Sequence, residues 1–170
     1  MAEILIGFMG AGKTSVGIQL AKALNKPFID LDAEITKQIN MPIATYFDQY
    51  GEQAFRKIEA ATLKEYHHQN VVISTGGGCV ETADCLKLLQ NHDCVIYLQA
   101  GFETLWQRII QDTTNIRPLA QAKETDTVQA LLEKRLSLYE AAASYVIQTD
   151  QLSTEEIVSV ITDSIDTKKG

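Results

Sequence analysis

Cysteine, proline and long apolar runs are all scarce in this chain of 170 residues, and basic side chains are outnumbered. The three cysteines, Cys79, Cys85 and Cys94, are odd in number and lack C-x-x-C spacing. That disfavours a disulfide framework or a zinc site; reduced, mostly buried thiols in a cytoplasmic protein are expected. Cys79 stands apart because it follows three glycines. The three prolines, Pro27, Pro42 and Pro118, each fall near an expected element boundary, and no low-complexity linker divides the chain. With 15 Lys and Arg against 22 Asp and Glu the net charge is −7. Such a balance argues against a nucleic-acid partner but not against an anionic substrate, because a few arginines set the field inside a cleft. No apolar run approaches a membrane span, and Met1-Ala2-Glu3 lacks the basic start of a signal peptide, so no membrane partner is expected.

What is present is the composition of an ordinary globular protein, 45% hydrophobic and 22% charged, of a size for one domain. Short apolar runs at 4–8, 28–30, 71–74, 94–98 and 145–148 read as strands, and helix-length segments separate them. This is the βαβ pattern of an α/β fold, a parallel sheet covered on both faces. Ser153 and Glu156 form a capping box ahead of the apolar positions Ile157, Val160, Ile161 and Ile165, which marks a last helix. Two segments interrupt the alternation: a mostly helical insertion at about 32–69, and a polar loop at about 108–125 that contains Arg117-Pro118.

One stretch organises the rest. Gly7-Phe8-Met9-Gly10-Ala11-Gly12-Lys13-Thr14 fits the phosphate-loop pattern G-x-x-x-x-G-K-[ST] at every fixed position, between an expected strand and an expected helix. Glycines let backbone N–H groups approach phosphate oxygens, and the anion sits on a helix N-terminus. Lys13 supplies a charge for the β- and γ-phosphates, and the Thr14 hydroxyl is placed to ligate Mg²⁺. The residues expected to bind ATP are Gly10, Ala11, Gly12, Lys13, Thr14 and Ser15.

Other candidates fall at the carboxyl ends of the expected strands, where open parallel sheets bind ligands. Asp30 and Asp32 close the second strand, as a metal-side carboxylate and one that meets an acceptor hydroxyl, or with Asp32 as a helix N-cap. Ser74 precedes Gly76-Gly77-Gly78, where a ligand can press against bare backbone. Arg56 and Arg135 suit bidentate grip of a carboxylate, although a single helical arginine is more often a solvated surface charge. Arg117 is a candidate to close on the phosphates. His67, His68 and His92 read as surface residues at helix ends, and Trp106 as core.

Read as an ordered set, these motifs resemble the shikimate kinase family over nearly the whole chain: the 7–14 loop, Asp30-Leu31-Asp32, the 51–59 run with Phe55-Arg56 and Glu59, Ser74 to Gly78, Arg117-Pro118-Leu119, and Arg135 with Tyr139. The resemblance implies a three-layer P-loop kinase fold with a five-stranded parallel sheet, the 32–69 insertion binding substrate and 108–125 acting as a mobile lid. It implies transfer of the γ-phosphoryl of ATP to the 3-hydroxyl of shikimate, with one Mg²⁺ held by Thr14 and, through water, by Asp30 and Ser74. Lys13, Asp32 and Arg117 would be catalytic. Asp32, Arg56, Gly76, Gly77, Gly78 and Arg135 would hold shikimate, and Arg117 would also meet ATP. A monomer is expected. Asn40-Met41-Pro42 departs from the Thr-Gly turn more usual there, and Ala120 stands where a second leucine is usual. Rival readings are another small-molecule kinase of this architecture, such as a gluconate or nucleoside monophosphate kinase, and a nucleotide-binding module without turnover.

Overall fold

The computed structural model describes residues 1–112 and 125–170. Five strands, β1 Glu3–Ile6, β2 Phe28–Asp30, β3 Val72–Ser74, β4 Val95–Gln99 and β5 Tyr145–Gln148, form one sheet in the order β2-β3-β1-β4-β5. All four neighbouring pairs are parallel, with Ile4 level with Ile73 on one side and Val95 on the other. Ile4, Leu5, Ile6, Val72 and Ile73 are fully buried, as expected of strands covered on both faces. Each such side chain contributes about 1.5–3 kcal/mol by leaving water, so the central strands anchor the fold. β1 ends earlier than the apolar run suggests, because the Phe8 carbonyl already closes a turn by accepting from the Ala11 N–H at 3.1 Å.

Helix α1 is Lys13–Ala23; α2 Leu31–Ile39, α3 Ile43–Tyr50 and α4 Glu52–Tyr66 fill the segment between β2 and β3. A 3-10 turn at Cys79–Glu81 leads to α5 Ala83–Gln90, followed by α6 Phe102–Gln111, α7 Thr125–Ala142 and α8 Thr154–Lys169. The unusual turn after α2 has a physical reason. Asn40 caps that helix in the left-handed region (φ 53°), which asparagine tolerates, and Pro42 then starts α3. At α8 the Ser153 side chain accepts from the Glu156 N–H at 3.1 Å, the expected cap.

Three local readings need correction. The N-cap of α2 is Asp30, whose Oδ1 accepts from the Ala33 N–H at 3.2 Å, because the helix starts at Leu31; Asp32 lies within its first turn. His92 is buried rather than on the surface, with its Nε2 2.8 Å from the Ala2 carbonyl oxygen, and only His68 is exposed among the three histidines. Trp106 is half-buried and stacks on Phe102 with centroids 6.0 Å apart. Among the described residues no helix is long and apolar enough to cross a membrane. From β1 the chain passes to the β2 side of the sheet, while β4 flanks β1 on the other side. A crevice therefore opens at the carboxyl end of β1, where the phosphate loop begins.

Candidate active site

The loop between β1 and α1 is shaped for an anion. Gly10 and Gly12 take φ of 80° and 91°, in the region that side-chain-bearing residues avoid. Gly12 is the N-cap of α1, no side chain caps that end, and no acidic residue lies in the first turn. The positive end of the helix thus faces the loop without a competing carboxylate, which favours an anion there. The Lys13 ammonium folds back over the loop and donates to the Gly7 and Phe8 carbonyls at 2.7 and 3.0 Å. Thr14 and Ser15 are exposed at the mouth. Arg108 supports the loop from α6, its Nη1 donating to the Gly10 carbonyl at 3.2 Å.

The loop lines a cleft of about 1090 Å³. Along the same cleft lie Asp30, Asp32, Ser74, the glycines 76–78 and Arg135. A smaller cleft of about 790 Å³ opens at the other ends of the strands, around Glu3, Lys26 and His92, and shares none of these residues.

Beside the glycine triplet, two arginines are each held by a glutamate. Arg56 donates through Nη1 to Glu59 Oε1 at 2.8 Å, and its guanidinium lies 5.4 Å from the Phe55 ring centroid. Arg135, only 8% exposed, donates through Nε and Nη2 to Glu81 Oε2 at 3.1 and 2.9 Å and lies 5.7 Å from the Phe8 ring centroid. Neither is the solvated surface charge that a single helical arginine suggests. The glycine triplet fits between them. A Cβ at Gly78 would collide with the Arg56 guanidinium, one at Gly77 would stand 3.3 Å from Arg135 Nη1, and one at Gly76 would stand 3.0 Å from Asp32 Oδ1. Tyr139 fixes the triplet from behind by donating to the Gly77 carbonyl at 2.6 Å.

The charges are balanced by burial. Burial holds the Glu59 carboxyl above the ordinary carboxylate range; Arg56 pulls it back, Asp32 pushes it further up and Arg135 opposes that. Burial works against the Arg56 charge, but Glu59 and then Glu52 outweigh it and raise its pKa. Glu81 is pushed up by burial and pulled further down by Lys134 and Arg135, so it ends below the usual range.

The structure therefore brings together Lys13, Thr14, Ser15, Asp30, Asp32, Ser74, the glycines 76–78 and Arg135 along one cleft, with Arg56 packed behind Gly78. Arg117 lies outside the described residues. Sequence reasoning gave no part to Glu81, which is 54 positions from Arg135, or to the brace from Arg108 to the loop, 98 positions from Gly10. No local pattern signals either contact.

Comparison with known proteins agrees with this geometry. The shikimate kinase family model matches residues 9–166. The chain is 45% identical over 161 residues to a shikimate kinase of Lactococcus lactis subsp. cremoris, covering 95% of this chain and 96% of that protein. It is 44% identical over 158 residues to one of Enterococcus faecalis, covering 93% and 94%. Its fold superposes on that of a shikimate kinase from Acinetobacter baumannii in complex with shikimate with a TM-score of 0.90 and 33% identity, over 99% of this chain and 94% of that one.

Proposed function

This chain belongs to the shikimate kinase family, and on that premise we propose how its residues divide the family's reaction between them. The activity is phosphorylation of the 3-hydroxyl of shikimate by ATP, a step of aromatic biosynthesis. The observation that supports the division most is the single cleft that carries the anion-ready loop, the glycine triplet and Arg135, with Arg56 packed against Gly78 and both arginines backed by carboxylates.

In this reading the loop amides, Gly10 to Ser15, hold the phosphates of ATP, and Lys13 swings from its carbonyl partners onto the β- and γ-phosphates. Arg56 and Arg135 grip the shikimate carboxylate, and the ring rests on Gly76 to Gly78, where no Cβ intervenes. Asp32, lying against Gly76, then meets the 3-hydroxyl and accepts its proton as that oxygen bonds to the γ-phosphorus and the bond from the γ-phosphorus to the bridging oxygen breaks, with ADP as the leaving group. Phosphoryl transfer depends chiefly on positioning and charge neutralisation, which is what such an arrangement supplies.

The donors beside the loop, the Thr14 hydroxyl, the Asp30 and Asp32 carboxylates and the Ser74 hydroxyl, are all oxygens, and no thiol or imidazole lines the described cleft. Such a set suits Mg²⁺, held by Thr14 and, through water, by Asp30 and Ser74. The chemistry it supplies when bound is neutralisation of phosphate charge. The division into an acceptor-binding insertion at about 32–69 and a lid at about 108–125 is part of the proposal, as is Arg117 as the charge that closes on the transferring phosphoryl group. Both rest on the sequence motifs. We place the enzyme in the cytoplasm, in keeping with its free cysteines, and take the monomer expected from the sequence as part of the proposal.

Phosphorus NMR of the product tests the division. A phosphate coupled to the proton on carbon 3 is expected, and attachment at another hydroxyl would show that Asp32 meets a different acceptor.

A further inference from the structure

Immediately behind the acceptor end, Glu59, Cys79 and Cys85 each direct one ligand atom to within 4.8 Å of the other two. All three residues are buried, Cys79 and Glu59 at 0% and 1% exposure. Three separate elements make the cluster: Glu59 comes from α4, Cys79 from the 3-10 turn after the glycine triplet, and Cys85 from α5. The cysteines are six positions apart, outside any zinc-binding spacing, so the sequence alone points away from a metal.

We propose that Glu59, Cys79 and Cys85 form a site for a thiophilic divalent cation such as Zn²⁺, whose entry takes Glu59 from Arg56 and loosens the grip on the acceptor carboxylate. A metal–sulfur bond of about 2.3 Å sets tetrahedral sulfurs about 3.8 Å apart, so small side-chain shifts convert the cluster into three legs of a tetrahedron. The fourth position is left for water. Loading exchanges one divalent ion for two thiol protons. Two thiolates, one carboxylate, the ion and the neighbouring Arg56 guanidinium then carry no net charge, so the buried group stays neutral before and after. An uncompensated charge there would cost several kcal/mol, on the order expected for burial of an ion.

Because all three residues are buried, the ion enters through a local opening of the chain around them. Glu59 Oε2 stands 3.2 Å from where a Cβ on Gly76 would lie, so this carboxylate sits directly behind a residue of the cleft wall. Its other oxygen is the Arg56 partner. A single side chain thus joins the thiol pair to the acceptor end. Oxidation of the pair to a disulfide is disfavoured, because thiols buried in this way react poorly. The inhibitory half of the inference rests on Arg56 as a carboxylate clamp; the metal-binding half does not.

The test uses the whole chain, stripped of metal by chelation and titrated with Co²⁺, whose thiolate complexes show a charge-transfer band in the near ultraviolet. One equivalent is expected to develop the band and Zn²⁺ to abolish it by displacement. Cys79→Ser and Cys85→Ser should each lose it, and Cys94→Ser should keep it. With Mg-ATP saturating, Zn²⁺ is expected to raise KM for shikimate about tenfold, the scale for a lost hydrogen bond to a charged group, and to leave KM for ATP unchanged. Cys85→Ser should remove that sensitivity. Absence of the band in the unmodified chain, which needs no variant to fold, overturns the site, as does a band that survives in both serine variants. Zinc inhibition that tracks ATP or Mg²⁺ and persists in Cys85→Ser overturns the link to Arg56. If the metal-free enzyme failed to use shikimate at all, the functional reading would fall, while the Co²⁺ band would still decide the site.

Discussion

The guanidinium of Arg135 gives both its Nε and Nη2 hydrogens to one oxygen of Glu81, at 3.1 and 2.9 Å. The other Glu81 oxygen pairs with Lys134 at 2.9 Å. One edge of Arg135 is therefore fixed, and Nη1 is left against Gly77 at the cleft. Glu81 thus acts as a positioning residue for the arginine assigned to the shikimate carboxylate. Glu81→Ala is expected to raise KM for shikimate about three- to tenfold with kcat little changed, and Glu81→Gln, which keeps an acceptor, to fall between. Equal loss of kcat in both variants would point to a general structural role instead.

The same contact predicts an acid limb in stability. Burial pushes the Glu81 carboxyl up, but Lys134 and Arg135 outweigh it, so the folded value lies below the unfolded one. Its stabilisation is then present above the unfolded value of about 4.3 and is lost as pH falls through the folded value. Thermal unfolding scans below that pH should show a shallower fall of Tm for Glu81→Gln than for the unmodified chain. Identical slopes would mean that the carboxylate is not held by the two cations in solution.

Arg135→Ala should weaken shikimate binding by about 2 kcal/mol or more, because it also leaves Glu81 without its buried partner. Titration calorimetry with shikimate checks this, and an unchanged Kd would mean that the carboxylate is held elsewhere.

Asp32→Asn should lower kcat by about two to four orders of magnitude, the usual contribution of a positioned base, while ATP still binds. Near-normal kcat would remove Asp32 from the chemistry.

Cys94 is the least buried of the three cysteines, yet burial, with the negative charge of Glu3, pushes its thiol up to about 11. At pH 8 only about one thiol in a thousand is then ionised. Iodoacetamide should modify the native protein slowly at all three cysteines and quickly once it is unfolded, and rapid native labelling of Cys94 would contradict this.

The parts legible in the sequence are those in which backbone geometry dictates residue type. Gly12 must take a positive φ at the head of α1, and the buried strands must be continuously apolar, so both could be read directly. The Asp30/Asp32 pair was legible only as two alternatives, because a two-residue shift of the helix start decides which carboxylate caps it. Arg56 and Arg135 were recognisable as candidates, but what surrounds a helical arginine depends on distant chain. The contacts of Glu81 with Arg135 and of Glu59 with Cys79 and Cys85 join separate elements, and no local spacing encodes them.

The most direct test of the central claim is ADP release from Mg-ATP with shikimate, gluconate or AMP supplied separately as acceptor. The account predicts saturable release with shikimate alone. Release with gluconate or AMP and none with shikimate would contradict it, because the two arginines and the glycine wall would then not serve the carboxylated ring assigned to them.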